Sequence, residues 1–102
     1  MPLTRDFRET VKNRAANDPV FRGVLFNEAI TAFLEGDLET GNIILRDYIN
    51  ATVGFEKLSS EIGAPSKSLM RMFSSSGNPT AKNLLAVISY LQRNTGVDFK
   101  LK

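Results

Sequence analysis

The sequence predicts an all-α fold, a bundle of about five to six helices followed by one short C-terminal β-strand. Three observations predict it. Apolar residues recur at three- and four-residue steps through most of the 102 residues, the spacing of a helix face. Glycine, proline and cap-forming residues interrupt that spacing at short intervals. Only residues 97–102 change to strict alternation of apolar and charged side chains, which is the pattern of a half-buried strand. A chain of this length holds one domain and has no room for a second core. Within it, residues 1–36 read as an N-terminal helical extension, 37–96 as the main unit and 97–102 as the strand.

From about Arg5 to Ala16, Phe7, Val11 and Ala15 form one weakly apolar stripe. Asn17-Asp18-Pro19 then stops and restarts the chain: Asp18 caps the next helix, and Pro19 fits a first turn that needs no backbone N–H. Val20, Val24, Phe26, Ile30, Phe33 and Leu34 give that helix broad apolar coverage up to Gly36. Asp37 caps a helix from about Leu38 to Thr52, with Leu38, Leu45, Tyr48, Ile49 and Thr52 as its buried stripe and Ile44 on the flank; Gly54 closes it. Phe55 to Ile62 is a short helix with Phe55, Leu58 and Ile62 on one side. Gly63 stands where a left-handed residue ends a helix, and Pro65 starts another that reaches about Phe73. Ser74 to Pro79 is a polar loop of turn formers. Thr80 caps a last helix in which Leu84, Val87, Ile88 and Leu91 repeat until Asn94. Val97, Phe99 and Leu101 then alternate with Asp98, Lys100 and Lys102.

Composition excludes most catalytic classes. There is no cysteine and no histidine, so thiolate nucleophiles, cysteine-based metal centres and the commonest general base are all missing. An enzyme, a metal site or a cofactor is not expected. Glu35, Asp37 and Glu39 surround a glycine turn and read as a helix cap with solvated neighbours. Phe21, Phe26 and Phe33 read as core. No apolar run approaches the roughly 20 residues a bilayer crossing needs, and Arg5, Asp6, Arg8, Glu9, Lys12 and Arg14 break up any signal-peptide core. A cytoplasmic protein without a membrane partner is expected. The net charge is only +2, but it is unevenly spread. Residues 1–53 carry six Lys and Arg against eight Asp and Glu, while residues 54–102 carry seven against three. A polyanion would dock on the second half.

That half holds two short helices joined by a tight glycine turn, Gly54 to Phe73, with the proportions of a helix-turn-helix. Leu58 is the bulky residue facing the core, Ser59 is small at the crossing, and Gly63 tolerates positive φ. Leu69, Met72 and Phe73 anchor the second helix inward. Lys67, Met70, Arg71 and Ser74, with Ser66 alongside, are left on its opposite face.

These residues resemble a known family. Gly54 to Leu91 is similar to the phage-repressor-type, Xre-like helix-turn-helix regulators of lambda-repressor-like fold, and more narrowly to their addiction-module antidote, or antitoxin, branch. The resemblance lies in Leu58-Ser59-(x)2-Ile62-Gly63, in Ser66-Lys67-Ser68-Leu69-(x)-Arg71 and, most distinctively, in the Gly77-Asn78-Pro79-Thr80 turn. The helix from Asp37 to Val53 has the look of that branch's leading helix. About residues 37–96 are covered well and the N-terminal third poorly. Pro65 departs from the pattern, since relatives often carry Ser or Thr there as a cap.

The resemblance implies a transcriptional regulator, a repressor, that binds double-stranded DNA as a homodimer. Ser66, Lys67, Ser68, Met70 and Arg71 would meet base edges in the major groove, and Lys57, Ser74, Ser75, Ser76, Asn78, Thr80 and Lys82 would hold phosphates. A lone strand exposes unpaired backbone groups, so Val97, Phe99 and Leu101 would pair with the same strand of a second subunit, with Pro2-Leu3-Thr4, or with another protein. The homodimer is the favoured pairing. The alternative function is that of an antitoxin that neutralises a toxin protein by direct contact, through the N-terminal helices, and autoregulates its operon.

Overall fold

The computed structural model describes Thr10 and residues 13–95, and these contain no strand. Residues 13–17 are helical. Five helices follow: α1 (Pro19–Leu34), α2 (Leu38–Ala51), α3 (Phe55–Ile62), α4 (Ser66–Met72) and α5 (Ala81–Thr95). The strand expected at Val97, Phe99 and Leu101 lies outside the described residues, as do Phe7 and Val11 of the first stripe.

The starts of α1, α2 and α5 are set by side chains that replace missing intrahelical partners. The Asp18 carboxylate accepts from the N–H of Val20 at 3.0 Å and of Phe21 at 3.2 Å, with Pro19 in the first turn. Asp37 accepts from the N–H of Thr40 at 3.2 Å. Thr80 accepts from the N–H of Asn83 at 3.2 Å. Each such cap stabilises its helix by about 1 kcal/mol.

α1 and α2 form a helical hairpin across the turn at residues 35–37 and pack widely on each other. The core then collects Phe26, Ala29 and Ile30 from α1, Leu45, Tyr48 and Ile49 from α2, Phe55 and Leu58 from α3, Leu69 and Phe73 at α4, and Val87, Tyr90 and Leu91 from α5. Full burial of each large side chain among these stabilises the fold by about 1.5–3 kcal/mol. The Phe26 and Tyr48 rings are tilted at 52° with centroids 5.4 Å apart. The Tyr48 hydroxyl bonds to the hydroxyl of Thr95, which ties the end of α2 to the end of α5. Burial pushes the Tyr48 phenol above its ordinary value, and the Thr95 bond and the Arg22 charge pull the other way. No helix among the described residues is long and apolar enough to cross a membrane.

Two stripes differ from expectation. On α1 the inner face is buried, but Val20, Val24 and Leu34 are exposed. α1 is apolar nearly all round, and its chief neighbour, α2, covers one side of it only. On α2, Leu45, Tyr48 and Ile49 are buried and Ile44 on the flank is half-buried, as expected, whereas Leu38 and Thr52 are only half-buried. Gly41 and Asn42 join the interior instead. A Cβ on Gly41 would stand 2.6 Å from the Phe33 ring, so glycine is what lets α1 lie this close.

Candidate nucleic-acid interface

The α3–turn–α4 unit is built as its sequence requires. α3 ends at Gly63, which is left-handed at φ +82°. The Gly63 N–H returns to the Ser59 carbonyl at 2.9 Å, and the Ser59 hydroxyl donates to the Ala64 carbonyl at 2.5 Å. Ser59 is therefore more than a small residue at a crossing; it ties the turn to α3. Pro65 (φ −58°, ψ 141°) leads into α4, whose start has no side-chain cap.

Burial divides α4 into two faces. Leu69 and Phe73 are 0% exposed, and Met72 is half-buried with its sulfur accepting from the Asn83 amide at 3.6 Å. Lys67 and Arg71 face solvent, as does Met70 at 44% exposure. Ser66, Ser68 and Ser74 are half-buried at the edges of that face. The steps from Lys67 to Met70, Arg71 and Ser74 are three, four and seven residues, so these side chains share one side of the helix.

The loop after α4 is tightly constrained. The Ser74 hydroxyl donates to the Arg71 carbonyl at 2.8 Å, and the Gly77 N–H bonds to the Ser74 carbonyl at 3.0 Å. Gly77 lies against the end of α4, where a Cβ would meet the Met72 oxygen at 2.2 Å and the Arg71 oxygen at 2.4 Å. Pro79 is buried, while Ser75, Ser76 and Asn78 are not. From α2, the Asn42 amide donates to the carbonyls of Ser74 at 3.1 Å and of Gly77 at 3.0 Å.

The five side chains expected to meet bases thus lie together on or beside the outer face of α4. The set expected to hold phosphates is more mixed. Lys57, Ser75, Ser76, Asn78 and Lys82 are open to solvent. The Ser74 hydroxyl is engaged with its own helix end, and the Thr80 oxygen is engaged as the cap of α5, which leaves only its O–H for a phosphate. Val97, Phe99 and Leu101 lie outside the described residues. Among the described residues, Lys57, Lys67, Arg71 and Lys82 have no ion-pair partner.

Two further residues matter here that the apolar pattern of the sequence does not single out. One is Asn42, which the α2 stripe could have included, because it stands four residues beyond Leu38 and three before Leu45. The other is Glu56, whose Oε1 accepts from the Ser66 hydroxyl at 3.4 Å. No spacing signals that pair, since only the fold of the turn brings α3 and α4 together. The exposed carboxylate of Glu56 would repel a phosphate backbone set against this face. Glu56→Gln is expected to raise affinity for every duplex severalfold at low salt, with the gain shrinking as salt is raised; fluorescence anisotropy on random-sequence DNA measures it.

One cavity, of about 290 Å³, is lined by Ala16, Arg22, Ala51, Thr52, Val53, Asn94 and Thr95. Three helix ends meet there, and Arg22 donates to the carbonyls of Ala15 at 3.1 Å and Ala16 at 3.4 Å. Its charge complements the negative ends of those helices. The same helix ends disfavour an anion, and the Thr52 hydroxyl and the Asn94 amide already donate to backbone carbonyls. Arg22 is a helix-end partner, and the α4 face is the stronger candidate site.

Comparisons with protein-family models, with curated proteins and with solved structures found no match to this chain.

Proposed function

We propose that the protein is a sequence-specific DNA-binding transcriptional regulator, a cytoplasmic repressor that acts as a homodimer and inserts α4 into the major groove. One observation carries this reading. A seven-residue helix, held to α3 by a left-handed turn, buries Leu69 completely and still presents Lys67, Met70 and Arg71 to solvent. The core has no use for that face.

Each residue then has a chemical role. Arg71 reaches guanine O6 and N7, and Lys67 supports it as a point charge. Met70 offers an apolar contact to a thymine methyl. Ser66 and Ser68 bond base edges or phosphate oxygens. Lys57, Lys82 and the exposed residues of the Ser74–Asn78 loop set the register on the backbone. Two subunits bind half-sites about 34–36 Å apart. A dimer making about six phosphate contacts loses roughly 10³-fold in affinity between about 50 and 200 mM salt. Anisotropy titration across that range tests the reading, and a salt-independent signal, or none, contradicts it.

The dimer is expected to depend on residues 97–102. Deleting residues 97–102 is expected to shift the protein toward monomer in sedimentation equilibrium. An unchanged mass assigns the dimer contact to another surface.

One observation favours a second reading, the antitoxin. Val20, Val24 and Leu34 are 77%, 52% and 70% exposed on α1, a helix that groove recognition does not require. A toxin protein could bury this apolar face, and DNA binding would then serve autoregulation. A neighbouring gene for a small basic protein would favour this reading, and co-purification with its product is the discriminating experiment: Val20→Glu abolishes it under this reading and leaves duplex binding intact.

A further inference from the structure

Asn42 is wholly buried on α2. An interior amide is unfavourable unless hydrogen bonds replace the water it loses. Its two N–H groups have partners, the Ser74 and Gly77 carbonyls at 3.1 and 3.0 Å, while its Oδ1 is buried with none. Leucine would remove that orphaned oxygen but would take the donor from the Ser74 and Gly77 carbonyls. The reason for an amide here lies in the turn it holds.

It holds both ends of the turn that carries Ser75 and Ser76. Gly77, pressed against the Arg71 and Met72 carbonyls, and buried Pro79 fix the far side of the same loop. The loop tip is thereby anchored to α2 as well as to the end of α4. The rotation of α2 that aims Asn42 is set next door, where Gly41 accepts the Phe33 ring.

We propose that Asn42 is a positioning residue for DNA binding. It holds the Ser74–Gly77 turn so that Ser75, Ser76 and Asn78 stand at a fixed place beside the α4 face and grip backbone phosphates. The inference rests on the DNA-binding reading above and adds to it the residue, outside the helix-turn-helix itself, that holds the backbone-contacting loop in place.

The test compares wild type, Asn42→Leu and Asn42→Asp on a random-sequence duplex across a salt series, with amide exchange at Gly77 followed in the free proteins. Asn42→Leu is expected to bind about tenfold more weakly across the salt series, with a log–log slope close to wild type, because the loop side chains it releases are uncharged and displace few counterions. Its Gly77 amide exchanges faster. Loss of stability without loss of positioning leaves the affinity of the folded protein unchanged.

Asn42→Asp provides a chemical rescue and the decisive arm if Asn42→Leu does not fold. An ionised carboxylate facing two carbonyls releases the turn, and a protonated one restores one O–H donor. Burial raises that carboxyl's pKa, so affinity recovers as pH falls from about 8 toward about 5.5. The wild-type chain has no histidine, and its binding is expected to stay flat over the same range. Folded Asn42→Leu with wild-type affinity overturns the proposal, as does Asn42→Asp binding that does not respond to pH. An unchanged Gly77 exchange rate shows that the clamp does not exist. Wild type that binds no duplex overturns the DNA-binding reading and this role with it, while the exchange rate still decides whether the clamp is real.

Discussion

Gly77→Ala is expected to lower the melting temperature by roughly 10–20 °C, the shift that about 2–3 kcal/mol produces in a domain of this size. The cause is close approach. The added methyl would stand 2.2 Å from the Met72 oxygen and 2.4 Å from the Arg71 oxygen, and both belong to backbone at the end of α4. A flexible side chain could move aside, but a helix end cannot move without disturbing Leu69 and Phe73, which are both fully buried. Gly23 makes the contrast. It lies inside α1, and nothing stands within 4 Å of the place a methyl group would take. Gly23→Ala is therefore expected to stabilise the protein by about 0.5–1 kcal/mol through helix propensity. Thermal unfolding followed by circular dichroism measures both. Equal effects at the two positions would contradict the packing described for the loop.

Arg71→Ala is expected to cost about 10- to 100-fold in affinity for a specific site and far less on random DNA. A bidentate arginine–guanine contact contributes about 1–3 kcal/mol of discrimination, and the loss falls on one position of the site. Stability is expected to be nearly unchanged, because the side chain is exposed. Lys82→Ala is the matched control. It weakens all duplexes alike and reduces the salt slope by about one per subunit. Competition binding with specific and random duplexes separates the two variants. If Arg71→Ala lost equally on both, Arg71 would be a phosphate contact and the groove assignment would be wrong.

Much of this architecture is legible in the sequence because local chemistry and global packing agree. Gly63 is expected to be left-handed, and it has φ +82°. Phe55 to Ile62 is expected as a helix, with Asp18, Asp37 and Thr80 as caps, and all are present. Spacing alone places Leu69 and Phe73 inward and Lys67, Met70 and Arg71 outward, and their burial agrees.

The remainder depends on what folding brings together. Val20, Val24 and Leu34 look like core in the sequence, because hydropathy records how apolar a helix is and not how many neighbours it has. Asn42 escapes notice because a stripe drawn through apolar residues has no place for an amide, although its register is right. Glu56 and Ser66 are ten residues apart and meet only across the turn at Gly63. In each case the missing information is a tertiary contact, which no window along one helix contains.

The exposed face of α4 is the surface on which DNA binding stands or falls. Selection of bound sites from a random duplex pool tests it most directly. The expected result is a two-fold-symmetric motif with half-sites about 34–36 Å apart, including a guanine whose enrichment disappears with Arg71→Ala. A pool that stays unenriched at low salt, with the protein folded, would contradict it.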